Sequence, residues 1–410
     1  MVSKAEFMHR SHDTYYRTAL FLVGLILFLG PLIHCIKLLR FGPMPGAIFF
    51  YISFPITTLF FGASYFFGRN FKVLRPNLIE ISIFILISIG LVNSLIYQGT
   101  LVDIMGNILR LLFSLFIYHT TRRYMTSFHE YRFGQRLAHL GLWGVIASIV
   151  VVYTLGVFGP YPLYLGLGTG VAFPALAYQI LSPQKNSGLK TFGILLLFIL
   201  GGKRGPILSA LLMYGVGSLF FKGTKQLSVQ LMTGLIALSM SVLIFTNVNF
   251  EETVKSLPRP IAARVLPFFK MVDRRGFDNV SSGRSEEVLS VFREWKADPI
   301  SAITGRGFGA TFIDVTGKDN STVHISPIAL WYQYGIFGLV FFLALFLIPL
   351  QLMFIRPRMS FETKVWCLVA LGSISQTLSL YTFFQDPIIW ISLALITAEY
   401  KNVALLRRSP

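Results

Sequence analysis

A succession of apolar runs separated by short polar loops constrains this chain more than any other feature. Runs at about 17–36, 45–67, 78–97, 101–119, 138–158 and 161–181 approach the ~20 residues that carry a helix across ~30 Å of hydrocarbon. Shorter runs at about 189–202 and 205–221 flank GGKRGP, and others follow at about 227–246, 326–353, 362–383 and 387–404. In hydrocarbon no water is present to satisfy backbone groups, so such segments cross as helices. The expected fold is an all-α polytopic membrane protein with about 12 spans. Composition agrees: 13% of the 410 residues are charged and 54% are hydrophobic, against about 25% charged in a soluble domain.

The formal net charge of +18 reads as topology, because cytoplasmic loops of membrane proteins collect Lys and Arg. With the N-terminus inside, Lys4, Arg69, Arg122, Arg123, Lys190 and Lys364 fall in inner loops with most other cations. The short outer loops hold only Lys37, Arg40, Lys203 and Arg204. Both termini are then cytoplasmic. The chain divides into 1–246 with nine spans, 247–325 as one large external loop, periplasmic if the membrane is the inner membrane of a Gram-negative bacterium, and 326–410 with three spans. No nucleic-acid-binding signature accompanies the charge, so no nucleic-acid partner is expected. Cys35 and Cys367 each lie in an apolar run, and no His/Cys cluster has metal spacing; neither a disulfide framework, a metal nor another cofactor is expected.

Within the large loop, SSGRSEEVLSVFREWKADP (281–299) has the pattern of an amphipathic helix. Ser282 or Ser285 can cap it, and Glu286 and Glu287 suit its first turn. Val288, Leu289, Val291, Phe292 and Trp295 recur at helical spacing before Asp298-Pro299 stops it. The helix is expected to lie on the membrane or pack against the spans. An earlier helix through IAARVLPFFKMV, bent at Pro267, is also expected. GRGFG (305–309) follows no strand and lacks the full glycine spacing of a phosphate loop, so it reads as a tight turn.

Two places combine a helix start with cations on the outer face. In GGKRGP, Lys203 and Arg204 precede Pro206; in HISP, His324 precedes Ser326 as cap and Pro327 as helix opener. Helix N-termini expose unpaired N–H groups to anions, and arginine offers a planar donor fork that matches phosphate. Lys203, Arg204 and Arg284, at the start of the loop helix, are therefore candidate contacts to a phosphate-bearing ligand. Interface snorkelling or solvation is the plainer role for each. His324 is a candidate general base, the role imidazole most often fills. Arg306 of GRGFG reads as structural or solvated unless a ligand recruits it. Arg110 lies inside an apolar run, where ionisable groups are costly, with Asp103 two turns earlier on nearly the same face. The two are expected to pair, to orient helices or to meet substrate. Asp386 and Gln385 stand at the outer mouth of the last span.

Three pieces in order resemble one known family: GGKRGPILSAL (201–211), GRSEEVLSVFREWKADPISAITGRGFG (283–309) and HISPIALWYQYGIFGL (324–339). Together with the layout of one long loop before three final spans, they resemble the bacterial O-antigen polymerases and the related O-antigen ligases. The chain departs from that pattern in GKRG, where a small hydroxyl residue often precedes the basic pair, and in His324-Ile325, where Asn often follows the histidine. The resemblance implies a metal-independent glycosyltransferase acting on undecaprenyl-diphosphate-linked oligosaccharide in the membrane lipid. In it, His324, Arg284 and Arg204 are catalytic, and Lys203, Arg110 and Arg306 contact substrate. A chain-length regulator accompanies many such polymerases. A ligase would move the same glycan onto lipid A–core. A lipid-linked oligosaccharide flippase would instead need repeated halves and a charged midplane path, for which only Arg110 and Asp103 are candidates.

Overall fold

The computed structural model describes residues 17–32, 44–67, 76–125, 131–156, 169–184, 187–200, 204–221, 284–313, 319–320, 323–355, 359–378 and 383–406. The expected span at 227–246, the helix expected around Pro267 and Lys203 lie outside these residues. The described helices are α1 (Arg17–Leu32), α2 (Met44–Phe67), α3 (Leu78–Ile96), α4 (Leu101–Met125) and α5 (Tyr131–Gly156). There follow α6 (Phe173–Leu181), α7 (Ser187–Leu200), α8 (Arg204–Phe221), α9 (Arg284–Ala297) and α10 (Pro299–Thr304). The last three are α11 (Ser326–Ile355), α12 (Phe361–Gln376) and α13 (Pro387–Leu406). A two-residue antiparallel pair, β1 (Phe312–Ile313) with β2 (Asp319–Asn320), completes an otherwise helical fold.

Four helices, within α3, α4, α5 and α11, are long and apolar enough to cross a membrane, and six shorter apolar helices accompany them among the described residues. The chain is a multi-pass membrane protein. Its apolar residues face outward as well as inward: Leu78, Phe84, Val92 and Leu95 on α3 are exposed, as suits a lipid-facing wall. α12 and α13 lie at the centre. Val365 to Leu371 of α12 and Ile388 to Leu393 of α13 are buried without a break, so these helices are enclosed by others on all sides. Small residues allow the close approach there; Gly217 of α8 meets Leu368, and Gly372 of α12 meets Met213. Of the run at 161–181, residues 161–168 lie outside the described residues. Its described part is a 3-10 turn (Thr169–Ala172) and the nine-residue α6, whose Phe173 stacks on Phe198 of α7 at 5.2 Å.

α9, α10, the β pair and the first third of α11 form a separate module at one end of the bundle, here called the island. It has its own small core of Val291, Trp295, Phe312, Val323, Ala329 and Tyr332. α9 thus packs against the start of a span, the second of its two expected placements. It begins at Arg284, so Ser285 lies inside the helix and not at its cap. Asp298-Pro299 ends α9 as expected and at once opens α10.

The island is locked to the bundle through a break in α11. Gly335 has φ 67° and ψ −159°, a conformation confined to glycine. A Cβ there would run into the carbonyl of Ile303. The break frees the carbonyls of Tyr332 and Gln333, which accept from the N–H groups of Arg306 (2.9 Å) and Gly307 (2.8 Å). Phe308, fully buried, fills the notch left by Gly90 of α3, while its N–H donates to Ser94 Oγ at 2.7 Å. Asn93 Nδ2 donates to the Thr304 carbonyl at 2.6 Å. GRGFG is therefore more than a turn: it is the seam between island and bundle, and the amides of Gly305 to Phe308 are spent on protein carbonyls and a serine.

Candidate functional site

His324 stands at the island end, two residues before α11, and α9 supplies its partner. Glu287 holds it twice: Oε1 lies 2.7 Å from the ring Nδ1, and Oε2 accepts from the His324 backbone N–H at 3.0 Å. A carboxylate only accepts, so Nδ1 carries the shared proton and Nε2 of the neutral ring keeps its lone pair. Glu287 is 14% exposed and His324 45%; the dyad is anchored from within and open outward. This is how an imidazole is set up to take a proton through Nε2.

The backbone then gathers the other candidates near this end. Arg284 opens α9 one turn before Glu287. Ser326 N–H donates to the Thr377 carbonyl at 3.0 Å, tying the start of α11 to the end of α12. α8 and α12 run antiparallel, with Gly217 beside Leu368 and Met213 beside Gly372. Continuing that register carries Arg204, the first residue of α8, to the same end of the bundle as Thr377 and Ser326. Ser326 is not the cap of its helix: the Ile325 carbonyl accepts the first bond, from Ala329, which makes Ser326 the first helical residue.

Arg306 is engaged elsewhere. Its guanidinium lies 2.8 Å from Glu294 and 3.8 Å from Asp298, over the rings of Tyr97 and Tyr332. A cation so enclosed belongs to the seam, which is the structural of its two readings. Tyr97 donates to Asp298 at 2.8 Å, and this bond, with Ser301 and Arg306 nearby, holds the Asp298 carboxyl below its usual range.

Arg110 and Asp103 do not pair among the described residues. Two turns put them about 10 Å apart along α4, and each has a nearer partner. Arg110 Nη1 donates to Asn107 Oδ1 at 3.3 Å, while the Asp103 carboxylate accepts from Thr100 at 2.5 Å beside Gly309. Asp386 accepts from the Ile388 N–H at 2.9 Å and so caps α13.

A second charged cluster, at the opposite end of the bundle, has no counterpart in the sequence reading. Glu80, 2% exposed, accepts from His119 Nδ1 (2.7 Å), Arg122 Nη2 (3.3 Å) and the Asn77 N–H (2.8 Å). Asn77 caps α3 reciprocally with Glu80 and reaches Tyr118, which also bonds Thr397 of α13 at 2.9 Å. The spacing Asn-x-x-Glu before an apolar run is a capping signal; the partners on α4 and α13 are visible only in three dimensions. With both Glu80 oxygens engaged from within, this cluster clamps α3 to α4, and Tyr118 ties α13 to them.

Scans against protein-family models, curated proteins and solved structures find no match to this chain.

Proposed function

We propose that the protein is an O-antigen or similar surface-polysaccharide polymerase. It joins undecaprenyl-diphosphate-linked repeat units at the periplasmic face of the bacterial inner membrane. The observation that carries the reading is the Glu287–His324 dyad, its imidazole 45% exposed, at the end of the bundle where Arg284 and Arg204 begin their helices. The order of the motifs along the chain supports the choice of family.

In the proposed reaction, the hydroxyl at the non-reducing end of one repeat unit attacks the anomeric carbon of the growing chain. The new C–O bond forms as the anomeric C–O bond to diphosphate breaks. The diphosphate leaves with the bonding pair, and the hydroxyl proton passes to His324 Nε2. Arg284 and Arg204 stabilise the charge on the departing diphosphate, with bidentate contacts suited to phosphate oxygens. The lipid-facing walls accommodate the polyprenyl tail.

The lipopolysaccharide banding of a strain deleted for the gene tests this. Core bearing a single repeat unit, restored to a ladder by the wild-type gene, is the expected pattern. Bare core with polymer retained on the lipid carrier would assign a ligase. Bare core with unpolymerised units held at the inner leaflet would assign a flippase.

A further inference from the structure

We propose that Glu287 is the positioning residue that makes His324 a base; this inference rests on the glycosyl-transfer reading above. Glu287 enters no substrate contact. It acts through three features of its geometry.

First, its two oxygens grip two different groups of one residue. Oε1 takes the ring Nδ1–H and Oε2 the main-chain N–H of His324. A single contact would leave the imidazole free to swing about its side-chain torsions; the second fixes the backbone from which it swings. Second, an acceptor-only group at Nδ1 selects the tautomer whose lone pair is on Nε2. The opposite tautomer would present an N–H to the acceptor hydroxyl and could not take its proton. Third, the carboxylate is mostly enclosed while the histidine is half open, so Glu287 is held for this purpose and water competes little for it.

The chain places this carboxylate with care. Glu287 is on the first turn of α9 and His324 precedes α11. The two are joined again further along, where Trp295 in the last turn of α9 packs on Trp331 in the second turn of α11 at 4.4 Å and near Tyr332. Contacts at these two points keep the register between α9 and the start of α11 from sliding, and it is this register that sets the dyad. Glu286, its neighbour, is exposed, and among the described residues no other carboxylate faces the ring.

The test compares Glu287→Gln, His324→Ala and the double variant in nanodiscs, using lipid-linked repeat units extracted from the deletion strain. Glutamine keeps the size of the side chain and can still accept the His324 main-chain N–H, but no longer dictates the tautomer. The expected result is a fall in kcat of about 10²–10⁴-fold, the range general bases contribute, with KM and thermal unfolding unchanged. Because the pair acts as a unit, the double variant should be no slower than His324→Ala alone. Independently of activity, NMR of heavy-nitrogen-labelled histidine should show His324 as the single Nδ1–H tautomer in the wild type and as a mixture in Glu287→Gln, with the His324 signals identified from His324→Asn. Full kcat in a folded Glu287→Gln, or an unchanged His324 tautomer, overturns the positioning role while leaving the base in place. Full activity in His324→Ala overturns the reading on which it rests.

Discussion

Replacing Gly335 with alanine should release the island from the bundle. Two responses are open to the chain, and both lose the seam. If α11 keeps its break, alanine must adopt φ 67° and ψ −159°, which costs about 1–3 kcal/mol, and its Cβ must push away the Ile303 carbonyl. If α11 straightens, the Tyr332 and Gln333 carbonyls return to ordinary helix bonds and the amides of Arg306 and Gly307 lose their acceptors, at about 0.5–1.5 kcal/mol each. Either response therefore costs the seam about 1–3 kcal/mol. Hydrogen exchange of the protein in nanodiscs reads this directly, because the amides of Arg306, Gly307 and Phe308 all donate within the seam. Their protection should fall at least ~5-fold, the equivalent of about 1 kcal/mol, while amides in the middle of α12 keep theirs. Gly193→Ala is the control, since a Cβ on that α7 glycine meets nothing within 4 Å. Unchanged protection of residues 306–308 in Gly335→Ala would refute the account of the break.

Three other outcomes follow from the same contacts. Phe308→Ala empties the Gly90 notch and should destabilise by about 3–5 kcal/mol, measured as a lower thermal midpoint with the island lost first. Arg306→Met should lower stability by stranding Glu294 and Asp298, yet leave the KM for the lipid-linked donor unchanged; a large rise in KM would return Arg306 to the binding site. Asp298 has a folded-state value below its unfolded one, so its contribution is complete above the ordinary carboxylate range. That contribution is lost as pH falls through the depressed value. Asp298→Asn should therefore flatten the acid limb of the island's unfolding profile; an unaltered limb would contradict this.

Much of the helical layout could be read from the sequence because burial in lipid leaves a long, one-dimensional signal. The run at 387–404 and the helix through Glu286–Trp295 both stand where their periodicity places them. Where packing decided, the signal failed. In the described part of the run at 161–181 a nine-residue helix is buried on nearly every side, a placement that apolar length alone does not announce. Asp103 and Arg110 share a face but are too far apart for their side chains to prefer each other over Thr100 and Asn107. The seam depends on which carbonyls a broken helix frees, something no spacing in GRGFG announces. His324 and Arg284 were legible as chemistry-bearing residues at helix starts. Glu287 was legible only as a first-turn acid, since its partner lies 37 positions away. Glu80 on α3 lies 39 or more positions from His119 and Arg122 on α4, and they meet only in the fold.

The most direct test of glycosyl transfer at this site is a reconstitution. Purified protein in nanodiscs would receive lipid-linked repeat units extracted from the deletion strain, with glycan length and released undecaprenyl diphosphate followed together. The account predicts that wild-type protein lengthens the glycan and releases one diphosphate carrier per linkage, and that folded His324→Ala does neither. Lengthening at the wild-type rate by His324→Ala, or no lengthening by the wild-type protein, would contradict it.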